Sequence, residues 1–301
     1  MAVKTFYSSM LTFIAGNDAL NRELVSTWLI VMVAVSAACF IISELTANYS
    51  QVDKVWSILP GVYSIITLTY SATPRLIIMS VLVFTWGFRL SYNFYRKGGY
   101  NIIPWKGEED YRWKVLRNYP ALKGRLRFGL FNLFFISFYQ NLLIMLFSSP
   151  LLVAAAGKGR NLNIADALSA VLMLGFIILE ALSDNQLFSF YQMKKKAVPV
   201  NGKFSGSLAG GFMKDGMWQY VRHPNFASEQ MIWISFYFFS VAATGNILVW
   251  TVIGPVLLGL LFFGSSEFTE KISSRKYPGY EEYKKAVPRF VPRLFKGSSG
   301  N

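Results

Sequence analysis

Residues 215–229, Asp-Gly-Met-Trp-Gln-Tyr-Val-Arg-His-Pro-Asn-Phe-Ala-Ser-Glu, hold the densest set of groups able to do chemistry, among them the chain's single histidine. Pro224 biases His223 away from helical backbone and favours a helix that begins at the proline or just after it. The unpaired N–H groups of that first turn, with Arg222 beside them, would attract an anion such as a cofactor phosphate. Asn225 and Glu229 are one turn apart, so on a helix their side chains share a face and can hold one polar ligand. His223 suits a helix cap as well as a ligand contact.

Other stretches carry comparable groups. Arg96, Asp110, Tyr111, Arg112 and Trp113 belong to a loop that mixes basic, acidic and aromatic residues. Its guanidinium groups suit phosphate and its rings suit stacking on a base or nicotinamide; the competing reading is an interfacial loop anchored by Trp105 and Trp113. Glu180 and Asp184, four residues apart, share a helix face and repel when both are ionised, so they call for a cation or a hydrogen-bonding ligand. Arg89 is the obvious partner, in an interhelical ion pair or a ligand site. The glycine-rich residues 201–216 match neither the dinucleotide fingerprint nor the nucleotide P-loop. Tyr277, Tyr280 and Tyr283 recur every three residues, suiting a nucleotide surface or docking at an interface. Asp53 and Trp56 lie at the mouth of an apolar run, where an acid is either a boundary residue or, if drawn into the bundle, a proton donor with a raised pKa. The lone Cys39 excludes an intrachain disulfide and a thiolate cluster, and no metal site is expected.

The elements that must position these groups are membrane helices. The chain is 53% hydrophobic and 17% aromatic, with a mean hydropathy of +0.36, too apolar for an ordinary soluble domain. Apolar runs at 26–42, 55–70, 76–95, 128–149, 164–182, 226–241 and 247–263 predict an all-α, seven-helix membrane bundle. The net charge of +14 does not imply nucleic acid, because the basic residues fall between the runs. Of the 30 Lys and Arg, 24 lie in segments that alternate spans place on one side, and five on the other. The positive-inside rule makes the richer side cytoplasmic, with the amino terminus out and the carboxyl terminus in. Residues 1–25 form an amino-terminal segment without a clear cleavable signal, 26–296 one membrane domain, and 297–301 a flexible tail.

Several motifs together resemble the membrane steroid 5α-reductase-like proteins, and more closely the DUF1295 branch. They are Asp53-x-x-Trp56, Trp86-Gly-Phe-Arg89, Gly107-Glu-Glu-Asp-Tyr-Arg112, Asp184-x-Gln186 with Phe190, Tyr220-Val-Arg-His-Pro-Asn-Phe-x-x-Glu229, and Tyr280-x-x-Tyr283 followed by Pro288 and Pro292. The resemblance spans roughly residues 45–293. The Arg-His-Pro element alone also looks like the isoprenylcysteine and phospholipid methyltransferases, which hold S-adenosylmethionine; the upstream motifs favour the reductases.

The resemblance implies NADPH bound in the cytoplasmic half, mainly residues 180–293, and reduction of a carbon–carbon double bond conjugated to a carbonyl in a steroid, polyprenyl or fatty-acyl substrate. Arg89, Asp110, Arg112, Glu180, Asp184, Arg222, His223, Asn225, Glu229, Tyr280 and Tyr283 fall among the cofactor contacts. The tyrosine that polarises the carbonyl in steroid reductases corresponds to Trp86, which donates a hydrogen bond but no proton. Asp53 is then the expected acid, with Tyr92 nearby. The resemblance also implies the endoplasmic reticulum, or the inner membrane of a bacterium. The alternatives are a methyltransferase using S-adenosylmethionine and a non-catalytic lipid- or sterol-binding protein. Convergence of Arg89, Arg96, Arg112 and Arg222 on one cavity would favour NADPH, and their pointing to separate surfaces would count against it.

Overall fold

A computed structural model describes residues 19–103, 105–157, 160–196 and 206–293. Much of the amino-terminal segment, the first part of the glycine-rich run and the terminal tail lie outside these. The described residues form helices and no strands. In chain order they are α1 (Ala19–Thr46), α2 (Gln51–Trp56), α3 (Leu59–Tyr70), α4 (Pro74–Arg96), α5 (Tyr111–Arg117), α6 (Arg125–Ser148), α7 (Pro150–Ala156), α8 (Ile164–Lys196), α9 (Gly206–Gly210), α10 (Pro224–Thr244), α11 (Ile253–Lys276) and α12 (Tyr280–Ala286).

Five helices among the described residues are long and apolar enough to cross a membrane: α1, α4, α6, α8, and α11 with the short turn before it. The run expected at 55–70 is divided into α2 and α3, with the break at Ser57 and Ile58. The run at 226–241 lies in α10, a 21-residue helix outside those five. The expected fifth span continues well past residue 182, to Lys196, and ends in three lysines.

The chain divides into two compact units. The first comprises residues 1–173 and 233–258, the second residues 174–232 and 259–301. In the first, α2 and α3 lie tightly against α4, because Gly87 has no side chain: a Cβ there would sit 2.6 Å from the Ser57 carbonyl oxygen. Ser57 Oγ and Ser91 Oγ, 2.7 Å apart, and the bond from Ser64 to Ser80 at 2.6 Å tie the same helices. Trp86 is fully buried, edge-on to Trp233. The middle of α6, Asn132–Tyr139, winds as a π-helix, with Phe131, Phe135 and Tyr139 stacked in a column. Helix α4 starts from Thr73, whose hydroxyl accepts the Leu76 N–H, and from Pro74 in the first turn. One residue on, Arg75 is buried and forms a bidentate pair with Asp166 of α8, at 2.7 and 2.9 Å. Carbonyls of Arg160 and Asn161 take further Arg75 N–H groups, so this charge pair has its polar demands met inside the protein.

In the second unit, the ends of α8 and α11 are joined through Lys194, which donates to the Gly211 carbonyl at 2.5 Å and to Tyr277 Oη at 3.1 Å. Phe212, Tyr280 and Tyr283 form a small aromatic core beside them. Asp215 accepts the Ser207 N–H and so holds the glycine loop in a turn.

Candidate functional sites

The first unit places Asp53 on α2, a helix of six residues whose geometry is fixed from outside. Ser50 Oγ accepts the Asp110 N–H at 2.9 Å, and Glu109 accepts the Tyr49 N–H at 3.0 Å, so the two segments are stitched together. Asp53 Oδ2 accepts the indole N–H of Trp113 at 3.1 Å. Trp113 is thus buried against the acid and is unable to anchor the loop at an interface or stack on a nicotinamide. Asp110 caps α5 by accepting the Arg112 N–H and holds the Arg112 guanidinium at 2.9 and 2.8 Å.

One guanidinium therefore serves two carboxylates, and they receive it unequally. Burial pushes the Asp53 carboxyl up, and the neighbouring Asp110 charge pushes it further; Arg112 and the Trp113 bond only partly offset this. Asp110 also loses hydration, but the Arg112 charge and its hydrogen bonds outweigh that loss and hold Asp110 below its ordinary value. Burial lowers the adjacent Lys54, which donates to the Lys106 carbonyl at 2.7 Å.

The second unit gathers its charges on Glu270, which has no exposed surface. Arg222 meets this carboxylate through Nε at 2.8 Å and Nη2 at 3.3 Å, His223 Nε2 lies 2.8 Å away, and Arg289 Nη2 is at 3.4 Å. Lys284 Nζ stands at 3.9 Å. Arg222 Nη1 also donates to the carbonyls of Lys284 and Val287. The Arg222 and His223 N–H groups pair with the carbonyls of Pro288 and Arg289, so the turn before α10 grips the carboxyl-terminal segment through both backbone and side chains. Helix α10 begins at Pro224, as the sequence predicts. His223 stacks on Phe226, and Phe226 on Phe262. Asn225 Oδ1 and Arg289 Nη1 are buried there and make no hydrogen bond.

The expected site residues fall into separate groups. Asp53, Asp110 and Arg112 come together in the first unit, whereas Tyr92 is exposed beneath the Arg96 guanidinium and Trp86 is packed on Trp233. Arg96 bonds to Asn93 and Arg112 to Asp110, so these two guanidinium groups serve different partners; Arg89 lies in the same unit, on α4. In the second unit, Arg222, His223 and Asn225 share one neighbourhood, and Glu180, Asp184 and Glu229 are buried. Tyr280 and Tyr283 pack on Phe212 instead of lining a surface, and Tyr283 Oη bonds to the Trp218 carbonyl at 2.5 Å. Arg222, expected to meet phosphate, spends most of its donors on Glu270 and the tail.

Sequence reasoning missed Glu270 and Arg289. The available signal was Glu267-x-x-Glu270, two acids one turn apart where the last apolar run gives way to Arg275 and Lys276. Both acids are held by Arg289, which sits between Pro288 and Pro292.

The profile of a family described as "Protein of unknown function (DUF1295)" matches residues 39–287. The chain belongs to that family. A relative, the Schizosaccharomyces pombe protein named "Uncharacterized protein C594.04c", is 40% identical over 265 residues, covering 84% of this chain and 75% of its own. No solved structure matches. The match takes in Asp53, Asp110, Arg112, the Arg222–Glu229 segment and Glu270, and ends just short of Arg289.

Proposed function

We propose that this protein is an NADPH-dependent membrane oxidoreductase that reduces a carbon–carbon double bond conjugated to a carbonyl in a lipophilic substrate. The observation that carries the reading is Asp53, a carboxyl group kept prone to protonation beside an ionised Asp110 and an indole donor. A carboxyl group that holds its proton above the ordinary aspartate range is better suited to general-acid catalysis than an exposed aspartate. In this reading the basic loops face the cytoplasm and seven helices, including α3 and α10, cross or enter the bilayer.

The second unit fits a negatively charged cofactor. Arg222, Lys284 and Arg289 outnumber Glu267 and Glu270 even with His223 neutral, and Asn225 Oδ1 and Arg289 Nη1 are buried polar atoms that a ligand would satisfy. Arg289, His223, Asn225 and Glu229 would hold the cofactor, with Arg222 fixing the turn that carries them. NADPH, when bound, supplies a hydride. Asp53 is the acid of this reading, and Trp113 holds its carboxyl group in place. The Asp110 charge adds to the proton affinity of Asp53, and Arg112 partly offsets it.

Thermal unfolding of the detergent-solubilised protein with NADPH, NADH or S-adenosylmethionine tests the cofactor, because a ligand that binds the folded state raises its melting temperature. NADPH should give the largest rise; stabilisation by S-adenosylmethionine alone would replace this reading with a methyltransferase. Asp53→Asn should reduce enone turnover by about 10²–10⁴-fold while leaving the NADPH-induced shift in place.

A further inference from the structure

The loop that follows α4 departs from what water favours. Ile102 is fully exposed, Trp105 is 49% exposed, and Ile103, Tyr92 and Tyr95 are exposed beside them. Lys97 and Lys106, both exposed, flank this apolar tip. The arrangement is held in place. The Glu108 N–H closes the loop on the Gly98 carbonyl at 2.8 Å, and the Gly99 N–H on that of Phe94 at 3.0 Å. Gly98 and Gly107 take the positive φ values of 83° and 122° that the closure needs. Gln51, Lys54 and Asn48 then donate to the carbonyls of Trp105, Lys106 and Gly107, three consecutive tethers from the segment that carries Asp53.

These bonds fix the base of the loop and residues 105–107, and Ile102 stands fully exposed above them. It also begins one residue after a helix that qualifies as a membrane span, which sets it at the depth of the lipid headgroups. Next to the tip, Tyr95, Tyr100, Asn101 and Ile102 line a cavity of about 430 Å³, backed by the bond from Tyr100 Oη to the Lys54 carbonyl at 2.8 Å. Apolar side chains flanked by two exposed lysines match the boundary between acyl chains and anionic headgroups, and a loop tethered at its base loses little entropy on entering it.

We propose that this loop docks into an anionic phospholipid leaflet, with Ile102, Ile103 and Trp105 entering the acyl boundary and Lys97 and Lys106 meeting lipid phosphates. The inference does not depend on the reductase reading. It assigns the loop a partner and places a membrane contact on the scaffold of Asp53.

The test uses full-length protein with Cys39→Ala, labelled with an environment-sensitive nitrobenzoxadiazole dye at Ile102→Cys and, as a control, at Glu281→Cys on α12. It is reconstituted into vesicles of phosphatidylcholine with phosphatidylserine, or of phosphatidylcholine alone. At position 102 in the anionic vesicles the dye should emit further to the blue. It should also be quenched by a lipid spin-labelled near the headgroup and show iodide quenching about threefold or more below that at 281. Lys97→Glu with Lys106→Glu, or removal of phosphatidylserine, should reverse much of that protection. Iodide access at 102 equal to that at 281 would overturn the docking, and immersion indifferent to lipid charge would overturn the anionic partner.

Discussion

The two units use their carboxylates in opposite ways. Around Asp53 and Asp110, two acids share one guanidinium, and Asp53 is left the poorer. Around Glu270, one acid faces Arg222, His223, Lys284 and Arg289 together. A carboxylate short of cations keeps its proton, whereas one crowded by cations becomes the electrostatic keystone of its surroundings. Burial raises Asp53 and a second acid adds to it, whereas the cations around Glu270 outweigh its burial.

That contrast breaks first at Glu270. Glu270→Ala leaves the Arg222 guanidinium without its carboxylate and Arg289 with Glu267 alone, and should cost about 3–5 kcal/mol of folding stability, read as a large fall in the melting temperature of the solubilised protein. A loss below about 1 kcal/mol would mean that the cluster is no keystone.

Asp53→Asn should do the reverse at neutral and alkaline pH. The folded protein holds the Asp53 proton more tightly than the unfolded chain does. Its stabilising contribution is therefore complete below the ordinary aspartate pKa and is lost as pH rises through the raised one. Asparagine carries no proton to lose, so the variant should gain on the parent as pH increases, by about 1.4 kcal/mol for each unit by which the pKa is raised. Paired melting curves across pH would check this, and a difference independent of pH would return Asp53 to ordinary behaviour. The smallest effect is expected from Trp113→Phe. Losing the indole donor should cost about 1 kcal/mol and move the pH dependence assigned to Asp53 upward, because the bond favours the ionised form.

How much of this was legible in the sequence follows the reach of each interaction. Asp53 meets Trp113 across 60 residues, whereas the helix at Pro224 and the shared face of Asn225 and Glu229 rest on neighbours within a turn, and both could be read. The five long apolar helices were legible for the same reason. Glu270 was not, because its partners lie 47 and 48 residues before it, at His223 and Arg222, and 19 after it, at Arg289. The tethers from Asn48, Gln51 and Lys54 to residues 105–107 cross 52 to 59 residues and have no local signature. Trp113 was misjudged because composition cannot tell a ring at an interface from one turned onto a buried acid. The break at Ser57 depends on where Gly87 allows a carbonyl to approach, which only the packed helices reveal.

The grip of the Arg222–His223 turn on Pro288 and Arg289 has a practical bearing on how this protein is handled. Truncating the chain ahead of Pro288 would strip two backbone acceptors from that turn and take Arg289 away from both Glu267 and Glu270. Affinity tags therefore belong beyond Arg293. A proteolytic nick near Val287 would be expected to loosen the start of α10 along with the tail.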